Sequence, residues 1–192
     1  ITICCFAPLT NVAMAMIKAP EILPKINRIV MMREGYFEGG NITPTAEFNI
    51  FVDPHAANTV LRCGRPIVMM PLDVTHKALM KRKWLEGLRD MGSAVGDAAY
   101  GMMSFYERFD LEKYGSSGGP LHDPTVIAYL LQPGLFEGRQ VNVEVEISSE
   151  LTMGMTVVDW WNVTDRTSNV TYINQVNAEG FFSLILERLS QL

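Results

Sequence analysis

The sequence is poor in cysteine and in positive charge, and each shortage excludes classes of protein. It contains three cysteines, an odd number, and their spacing matches no metal-binding or redox motif. This usage favours a reducing cytosol over a secreted, disulfide-stapled domain, so we expect a cytoplasmic protein. Lys and Arg number 16 against 21 Asp and Glu, which gives a net charge of −5. Nucleic-acid binding requires a basic face, so we expect no nucleic-acid partner.

The sequence also lacks an apolar run long enough to span a membrane. Residues 1–17 carry no charge, but Pro8, Thr10 and Asn11 interrupt them, and a spanning helix needs about 20 apolar residues. No basic segment precedes this stretch, as a signal peptide would require. We therefore expect neither a membrane segment nor a signal peptide.

Repeats and low-complexity stretches are absent as well, and what remains is the composition of a folded domain. The 192 residues are 48% hydrophobic and 19% charged, which is typical of globular proteins. A chain of this length can bury one sizeable core, and no shift in composition marks an internal boundary. We expect a single domain over residues 1–192.

Strand and helix patterns alternate along the chain. The predicted strands cover residues 1–6, 28–32, 66–70, 140–147, 155–161 and 170–176, and the predicted helices cover residues 10–18, 53–62, 81–91, 94–109, 124–131 and 178–192. This alternation predicts an α/β fold with an open, mainly parallel sheet flanked by helices, and a β-rich C-terminal region. In such a sheet the ligand crevice lies at the carboxyl ends of the strands.

Residues 119–125 place a histidine and a carboxylate at a predicted helix start. Asp123 before Pro124 is an N-cap acceptor followed by the residue best suited to the first helical position. His122 can carry a proton near neutral pH, and the Asp123 carboxylate suits a hard metal ion. Either the segment is a functional site, or it is only a capped helix with a histidine in the preceding loop.

Residues 38–49 form a long polar loop between a predicted buried strand and a second Asp-Pro helix start. Asn41, Glu47 and Asn49 offer one carboxylate and two amides. This set suits vicinal hydroxyls, because a carboxylate accepts from O–H while an amide both donates and accepts. Loops of this length between a strand and a helix are usually functional. The alternative is a polar surface loop.

These two segments and three further strings resemble the inosine–uridine-preferring nucleoside hydrolases, which are calcium-dependent N-ribohydrolases. The strings follow the family's order: Pro8-Leu9-Thr10-Asn11-Val12-Ala13, Thr45-Ala46-Glu47-Phe48-Asn49-Ile50 with Asp53-Pro54, Leu72-Asp73-Val74-Thr75-His76, Leu121-His122-Asp123-Pro124, and Leu151-Thr152-Met153-Gly154-Met155-Thr156-Val157. The resemblance runs the whole length of the chain. It implies hydrolysis of ribonucleosides to ribose and free nucleobase, as in purine or pyrimidine salvage. We also expect a homo-oligomer, a dimer or a tetramer.

The resemblance also implies roles for individual residues. It gives Asp123 and the backbone carbonyl of Phe6 as Ca²⁺ ligands, and His122 as the group that protonates the leaving base. A positioning or base-binding role for His122 remains the alternative. The residues implied to contact the nucleoside are Met32 near the sugar, Asn41, Glu47 and Asn49 at the ribose hydroxyls, and Tyr106 and Tyr114 over the nucleobase.

The sequence departs from the family pattern in three places. The family's aspartate-rich opening motif, of the form D-x-D-x-G-x-D-D, is absent. We therefore expect a fold truncated at the N-terminus that lacks its first βαβ units, and a chain that by itself binds calcium poorly and turns over no nucleoside. Arg33 and Glu34 stand where the family has two glycines, and they would crowd the site or pair with each other. Phe6 is bulkier than the residue usual at its position.

Truncation would also leave an open sheet edge. The apolar face of Ile1, Ile3 and Cys5 would then be exposed and would favour self-association.

Two alternatives to an active nucleoside hydrolase are retained. One is a non-catalytic fragment of such an enzyme. The other is a serine esterase that uses Ser117, because Gly115-Ser116-Ser117-Gly118-Gly119 has the spacing of a nucleophile elbow. That elbow needs a strand before it and a helix after it, and neither flank fits. The sequence does not separate purine from pyrimidine preference.

Overall fold

The structure, a computed structural model, describes residues 1–33, 35–114 and 118–192, and for residues 106–114 it describes the backbone alone. The chain divides into two compact units. The first comprises Ile1–Val74 and Glu137–Gln175, and the second comprises Thr75–Phe136 and Val176–Leu192. The single domain expected over residues 1–192 stays a prediction. Within the described residues, no helix is both long and apolar enough to cross a membrane.

A five-stranded sheet forms the centre of the first unit. The strands along the chain are β1 (Thr2–Cys5), β2 (Arg28–Met32), β3 (Ile67–Met70), β4 (Phe136–Val141), β5 (Val143–Val145), β6 (Thr156–Val158) and β7 (Val170–Val176). Their order in the main sheet is β1-β2-β3-β7-β4. Strands β1, β2, β3 and β7 pair in parallel, which confirms the predicted mainly parallel sheet. β2 and β3 are almost wholly apolar because parallel strands are covered on both faces.

The C-terminal strands differ from their predicted bounds. The single strand predicted over residues 140–147 is split at Asn142, with β4 before the break and β5 after it. The strand predicted over residues 155–161 shrinks to β6, which pairs with β5 in an antiparallel hairpin. Val141, Val143 and Val145 are buried on both sides of the break, and Asn142 between them is buried as well. Residues 140, 142 and 144 alternate with these valines along the chain.

Strand β1 lies at one edge of the described sheet and only partly fits the expected apolar edge. Ile1 is exposed and Ile3 is half-buried. Cys5 is buried in the hydrophobic core, and this burial raises the pKa of its thiol. The expectation that Cys5 is exposed at the edge is therefore wrong.

The helices of the first unit include α1 (Thr10–Lys18), α2 (Phe48–Val52) and α3 (Pro54–Leu61). α3 begins as predicted, because Oδ1 of Asp53 accepts a hydrogen bond from the Ala56 N–H at 3.0 Å and Pro54 takes the first helical position. Oδ2 of Asp53 accepts from the Thr10 hydroxyl at 2.5 Å. The hydrogen bonds from Thr10 and Ala56 lower the pKa of Asp53. One carboxylate thus ties the start of α1 to the start of α3.

The second unit is mainly helical. The short helix α4 (Leu72–Thr75) leads into it, and α5 (Arg82–Arg89), α6 (Ala94–Tyr114), α7 (Pro124–Leu131) and α8 (Ala178–Leu189) follow. α6 continues past its predicted end at residue 109. α5 packs against α8 through the stacked rings of Trp84 and Phe182, whose centroids lie 5.2 Å apart. Lys83 Nζ adds an ion pair with the Glu179 carboxylate at 2.5 Å.

Candidate functional site

The first part of the candidate site is the loop that follows β2 at the carboxyl edge of the sheet. The ends of β2 and β3 lie side by side there, because Met32 pairs with Met70. The Met32 side chain is buried at this end of the sheet. The loop therefore begins where a parallel sheet presents its ligand crevice.

The carboxylate of Asp73 holds the beginning of this loop. Asp73 is buried, and it accepts hydrogen bonds from the backbone N–H groups of Tyr36, Phe37 and Glu38 at 3.1, 3.0 and 2.8 Å. It also accepts from the hydroxyl of Tyr172 on β7. A buried carboxylate is costly unless donors satisfy it, so these four donors and the carboxylate stabilise one another. The result is a loop fixed to the sheet at its first turn.

The far end of the same loop contains the three polar residues predicted to bind ribose. Oδ1 of Asn41 accepts the Phe48 N–H at 2.8 Å. Glu47 is buried and is the N-cap of α2, where Oε2 accepts the Ile50 N–H at 3.3 Å. Asn49 lies half-buried in the first turn of α2. The structure thus gathers Asn41, Glu47 and Asn49 around one helix start, although α2 itself was not predicted.

A glycine permits the tight path of this loop. A side chain at Gly40 would place its Cβ 2.1 Å from the Thr43 carbonyl oxygen and 2.4 Å from the Ala46 backbone nitrogen. These are backbone atoms that cannot move aside, so only glycine fits.

Arg33 extends β2 by one residue into the crevice. Its backbone N–H donates to the Met70 carbonyl at 3.1 Å, which continues the β2–β3 ladder. Its side chain is 0% exposed, and Nη2 donates to the Ala7 carbonyl after β1. The guanidinium therefore lies beside Ala7, the residue that follows Phe6. The Phe6 carbonyl is the predicted Ca²⁺ ligand. The expected pairing of Arg33 with Glu34 stays a prediction, since Glu34 lies outside the described residues.

The second part of the candidate site, in the second unit, centres on His122. Nδ1 of His122 lies 2.8 Å from the hydroxyl oxygen of Thr75, which is fully buried. The His122 carbonyl accepts a 2.5 Å hydrogen bond from the Thr125 hydroxyl. The His76 ring lies 5.8 Å from the His122 ring, centroid to centroid. His122 is therefore held both at its ring and at its backbone.

The environment of His122 also sets its charge. Burial, with a smaller contribution from the charge of His76, lowers the pKa of His122 to about 4. The imidazole is therefore neutral at pH 7.

The chain that leads into His122 is pinned alongside residues 78–80. The Met80 N–H donates to the Gly119 carbonyl at 2.9 Å, and the Leu121 N–H donates to the Ala78 carbonyl at 3.0 Å. Leu79 and Pro120 form an isolated antiparallel bridge between these hydrogen bonds. These contacts fix residues 119–121, which come directly before His122.

Asp123 lies at the N-cap position of α7, as predicted, but its side chain makes no capping hydrogen bond. Its φ and ψ of −62° and −38° are already helical, and the Thr125 and Val126 N–H groups donate to the His122 and Asp123 carbonyls at 3.2 and 3.1 Å. Backbone carbonyls thus accept the hydrogen bonds of these N–H groups in the first turn of α7. The Asp123 side chain is exposed, next to His122.

Three predicted residues have side chains outside the described part of the chain. Tyr106 and Tyr114 lie on α6, of which the structure describes only the backbone there. Ser117, the nucleophile of the esterase alternative, lies outside the described residues altogether.

The remaining predicted site residues are divided between the two units. The first unit contains Phe6, Met32, Asn41, Glu47 and Asn49, and the second unit contains His122 and Asp123. The convergence of both groups on one nucleoside stays a prediction.

Comparison with known families decides the assignment that these features suggest. The family described as "Inosine-uridine preferring nucleoside hydrolase" matches residues 1–183. The chain belongs to this family. The resemblance stated from the sequence is confirmed.

Proteins similar to this chain include named ribonucleoside hydrolases. It is 44% identical over 192 residues to the pyrimidine-specific ribonucleoside hydrolase RihA of Enterobacter, covering 100% of this chain and 61% of the relative. It is 48% identical to an uncharacterized protein of Schizosaccharomyces pombe, and the match covers 100% of this chain and 62% of that protein. The chain therefore spans about three fifths of the length of the relatives it matches.

Solved structures of nucleoside hydrolases share the fold. The purine-preferring ribonucleoside hydrolase of Gardnerella vaginalis superposes with a TM-score of 0.89 at 30% identity, covering 99% of this chain and 60% of that one. A plant nucleoside hydrolase gives the same TM-score and identity, and the match covers 100% of this chain and 62% of that one. The α/β fold is thus that of the family.

The described residues of this chain do not by themselves fit a calcium ion. No group of three or more His, Cys, Asp or Glu side chains among them is arranged to hold a metal. Ca²⁺ takes six to eight oxygen ligands, and Asp123 with the Phe6 carbonyl would supply only two or three. The buried guanidinium of Arg33 next to Ala7 adds positive charge near the predicted carbonyl ligand.

Asp73 and Thr75 belong to one of the strings that resemble the family, but the sequence did not predict a role for either. Both are buried, and they alternate with the buried Leu72 and Val74. Buried polar groups need hydrogen-bond partners. Two polar residues inside an apolar segment therefore indicated that Asp73 and Thr75 bond to other parts of the chain. Their partners lie far away in sequence, and the sequence alone did not identify them.

Proposed function

We propose that this chain supplies the nucleoside-binding part of an enzyme that hydrolyses the N-glycosidic bond of ribonucleosides to ribose and free nucleobase. One observation carries the proposal: the loop between β2 and α2 is held at one end by Asp73 and gathers Asn41 and Glu47 at the other. The named activities of the relatives from Enterobacter and Gardnerella support it.

The loop residues would bind the ribose hydroxyls. The Glu47 carboxylate accepts from a hydroxyl, and the amides of Asn41 and Asn49 accept or donate. Asn41 and Glu47 already accept backbone N–H groups, so their side chains are fixed before a substrate arrives. Such preorganisation lowers the entropy cost of binding, because these side chains need not be ordered when the substrate arrives.

In the reaction, the bond between C1′ and the base nitrogen breaks, and its electron pair stays on the nitrogen. Water forms the new bond to C1′ after an oxocarbenium-like state, and one of its protons ends on the base nitrogen. An acid catalyst works best with a pKa near the working pH, whereas that of His122 is about 4. We therefore assign His122 a hydrogen bond to the departing base through Nε2–H at neutral pH. Proton transfer from the imidazolium is expected only in acid.

Calcium dependence is proposed for the complete enzyme alone. Asp123 and the Phe6 carbonyl would be two of its oxygen donors, and a bound calcium ion would lower the pKa of an attacking water. Because the described residues provide so few donors, we expect this chain by itself to bind calcium weakly and to release no ribose.

A non-catalytic role is the second candidate function. The observation that favours it is the buried Arg33 guanidinium at the Ala7 carbonyl, beside the predicted Ca²⁺ ligand Phe6. We also propose a cytoplasmic homo-oligomer, and the exposed Ile1 at the end of the β1 edge supports self-association.

Titration of the isotope-labelled chain with uridine and inosine, followed by NMR, tests the proposal. We expect saturable shifts in the amides of residues 36–49 and 119–125, and the preferred nucleoside gives the lower Kd. Glu47→Ala should weaken this binding at least tenfold, whereas Glu187→Ala, an exposed change on α8, should leave it unchanged. Shifts spread elsewhere, or equal effects of both variants, would refute nucleoside binding at this loop.

A further inference from the structure

A cavity of about 870 Å³ lies in the first unit, at the opposite edge of the sheet from the loop described above. Arg28 and Ile67, the first residues of β2 and β3, line it, and so does Thr171 near the start of β7. These strands are parallel, so their amino ends share one edge. The cavity is therefore separate from the loop at the carboxyl edge.

The wall of this cavity is strongly basic, although the whole chain is acidic. Four arginines line it: Arg28, Arg62, Arg65 and Arg166. Among the described lining residues, Glu144 is the acidic side chain, and its Oε2 lies 3.7 Å from Nε of Arg62. The Arg65 Nε–H donates to the Ile26 carbonyl at 2.9 Å, which holds that side chain in place. The cavity thus carries a net positive charge in a chain of net charge −5.

The same wall contains a buried polar atom without a partner. Asn142 is 6% exposed, and its Nδ2 donates to the Thr167 carbonyl at 2.9 Å, which fixes the orientation of the amide. No hydrogen-bond donor of the described residues reaches its Oδ1. Asn142 lines the cavity together with Gln140 and Glu144, its neighbours at alternate positions. A buried acceptor of this kind calls for a donor, and a ligand in the cavity would supply it.

We propose that this cavity is a second binding site, for a phosphate monoester that also carries hydroxyl groups, such as a sugar phosphate. Guanidinium groups form paired hydrogen bonds with phosphate oxygens, and a phosphate monoester carries nearly two negative charges at pH 7. Such a group matches the excess of arginines better than a singly charged carboxylate does. A ligand hydroxyl would donate to Oδ1 of Asn142. This site is independent of the function proposed above.

Isothermal titration calorimetry of the 192-residue chain in 0.15 M NaCl tests this site, with glucose 6-phosphate as the probe. We expect saturable binding of glucose 6-phosphate, at least tenfold weaker binding of inorganic phosphate, and no binding of glucose. Because none of these compounds contains ribose, a negative result here leaves the proposed nucleoside-binding function untouched, and the reverse also holds.

Paired substitutions locate the binding. Arg28→Gln with Arg166→Gln should weaken glucose 6-phosphate binding at least tenfold, since both residues are exposed and their loss should not unfold the chain. Arg89→Gln with Arg188→Gln makes the same charge change in the second unit and should have no effect. Asn142→Ala should weaken binding of glucose 6-phosphate but not of inorganic phosphate, with folding checked by circular dichroism.

Three results would overturn the proposal. They are an absence of saturable glucose 6-phosphate binding, equal weakening by the two arginine pairs, and binding of inorganic phosphate as tight as that of the ester.

Discussion

Oγ1 of Thr75 and Nδ1 of His122 lie 2.8 Å apart, at hydrogen-bonding distance. Thr75 is fully buried, so water does not compete for this contact. The ring is thereby oriented with Nδ1 toward the protein interior and Nε2 as the nitrogen left for a ligand. Thr75 is thus a positioning residue for His122.

The first prediction concerns the tautomer of His122. We expect the Thr75 hydroxyl to donate to Nδ1, which leaves the proton on Nε2. Nitrogen-15 NMR shifts of the imidazole should show this single tautomer. Thr75→Val keeps the side-chain shape but removes the hydroxyl, so a mixture of tautomers should appear. Thr75→Ser, which retains the hydroxyl, should restore the native pattern, and an unchanged Thr75→Val spectrum would show that the contact does not set the tautomer.

The second prediction is a pH dependence of stability. The pKa of His122 is about 4 in the folded chain and 6.5 for an unperturbed histidine. Between these values the unfolded chain binds a proton that the folded chain does not. The free energy of unfolding therefore falls as the pH drops from 6.5 to 4, by up to about 3 kcal/mol, and is fully retained above 6.5.

Urea denaturation at a series of pH values measures this dependence. His122→Asn should flatten the slope between pH 6.5 and 4. His55→Asn removes an exposed histidine at the start of α3 and should keep the native slope. A native slope in the His122→Asn variant would contradict the prediction.

The third prediction concerns Asp73 as the anchor of the loop after β2. Asp73→Asn replaces one of the two acceptor oxygens with an NH2 group, which donates. Three N–H groups and the Tyr172 hydroxyl still face this side chain. We expect a loss of stability of about 2–4 kcal/mol, because hydrogen bonds to a charged group are worth roughly 1.5–3 kcal/mol each. Hydrogen exchange at the amides of residues 36–38 should accelerate. The exposed Asp90→Asn should change neither quantity, and slow exchange in Asp73→Asn would argue against the anchor.

The fourth prediction separates the structural and functional roles of Asp123. Its side chain is exposed and makes no capping hydrogen bond to α7. Because exposed substitutions usually change stability little, Asp123→Ala should alter the stability of this chain by less than about 0.5 kcal/mol. In the complete enzyme the same change should abolish calcium-dependent release of ribose from uridine and inosine. Full activity of that variant would exclude the proposed metal role.

Much of the fold was predictable because its signals are local. The apolar runs of β2 and β3 and the Asp-Pro starts of α3 and α7 are short patterns that need no partner to be recognised. α2 was missed because Phe48–Val52 is only five residues long and its amphipathic pattern has no room to repeat. The break at Asn142 was missed because apolar and polar residues alternate across it without interruption.

The site was less predictable because its geometry depends on distant contacts. Asp73 meets residues about 35 positions upstream and Tyr172 about 100 positions downstream. Arg33 donates to the backbone carbonyl of Ala7, a contact that no side-chain pattern encodes. The expected pairing of Arg33 with Glu34 stays a prediction. Asn142 was not singled out at all, since an unpartnered oxygen becomes visible only when its surroundings are known.

The position of β7 in the main sheet has a consequence for biosynthesis. β7 lies between β3 and β4, and Val170 pairs with Ile67, about 100 residues earlier in the chain. Synthesis proceeds at about 5–20 residues per second, so the apolar edge of β3 waits several seconds on the ribosome for its neighbour. Unpaired apolar strands of this kind are sites of aggregation. We therefore expect the nascent chain, stalled before residue 170, to bind chaperones that recognise apolar strands and to release them once β7 has emerged.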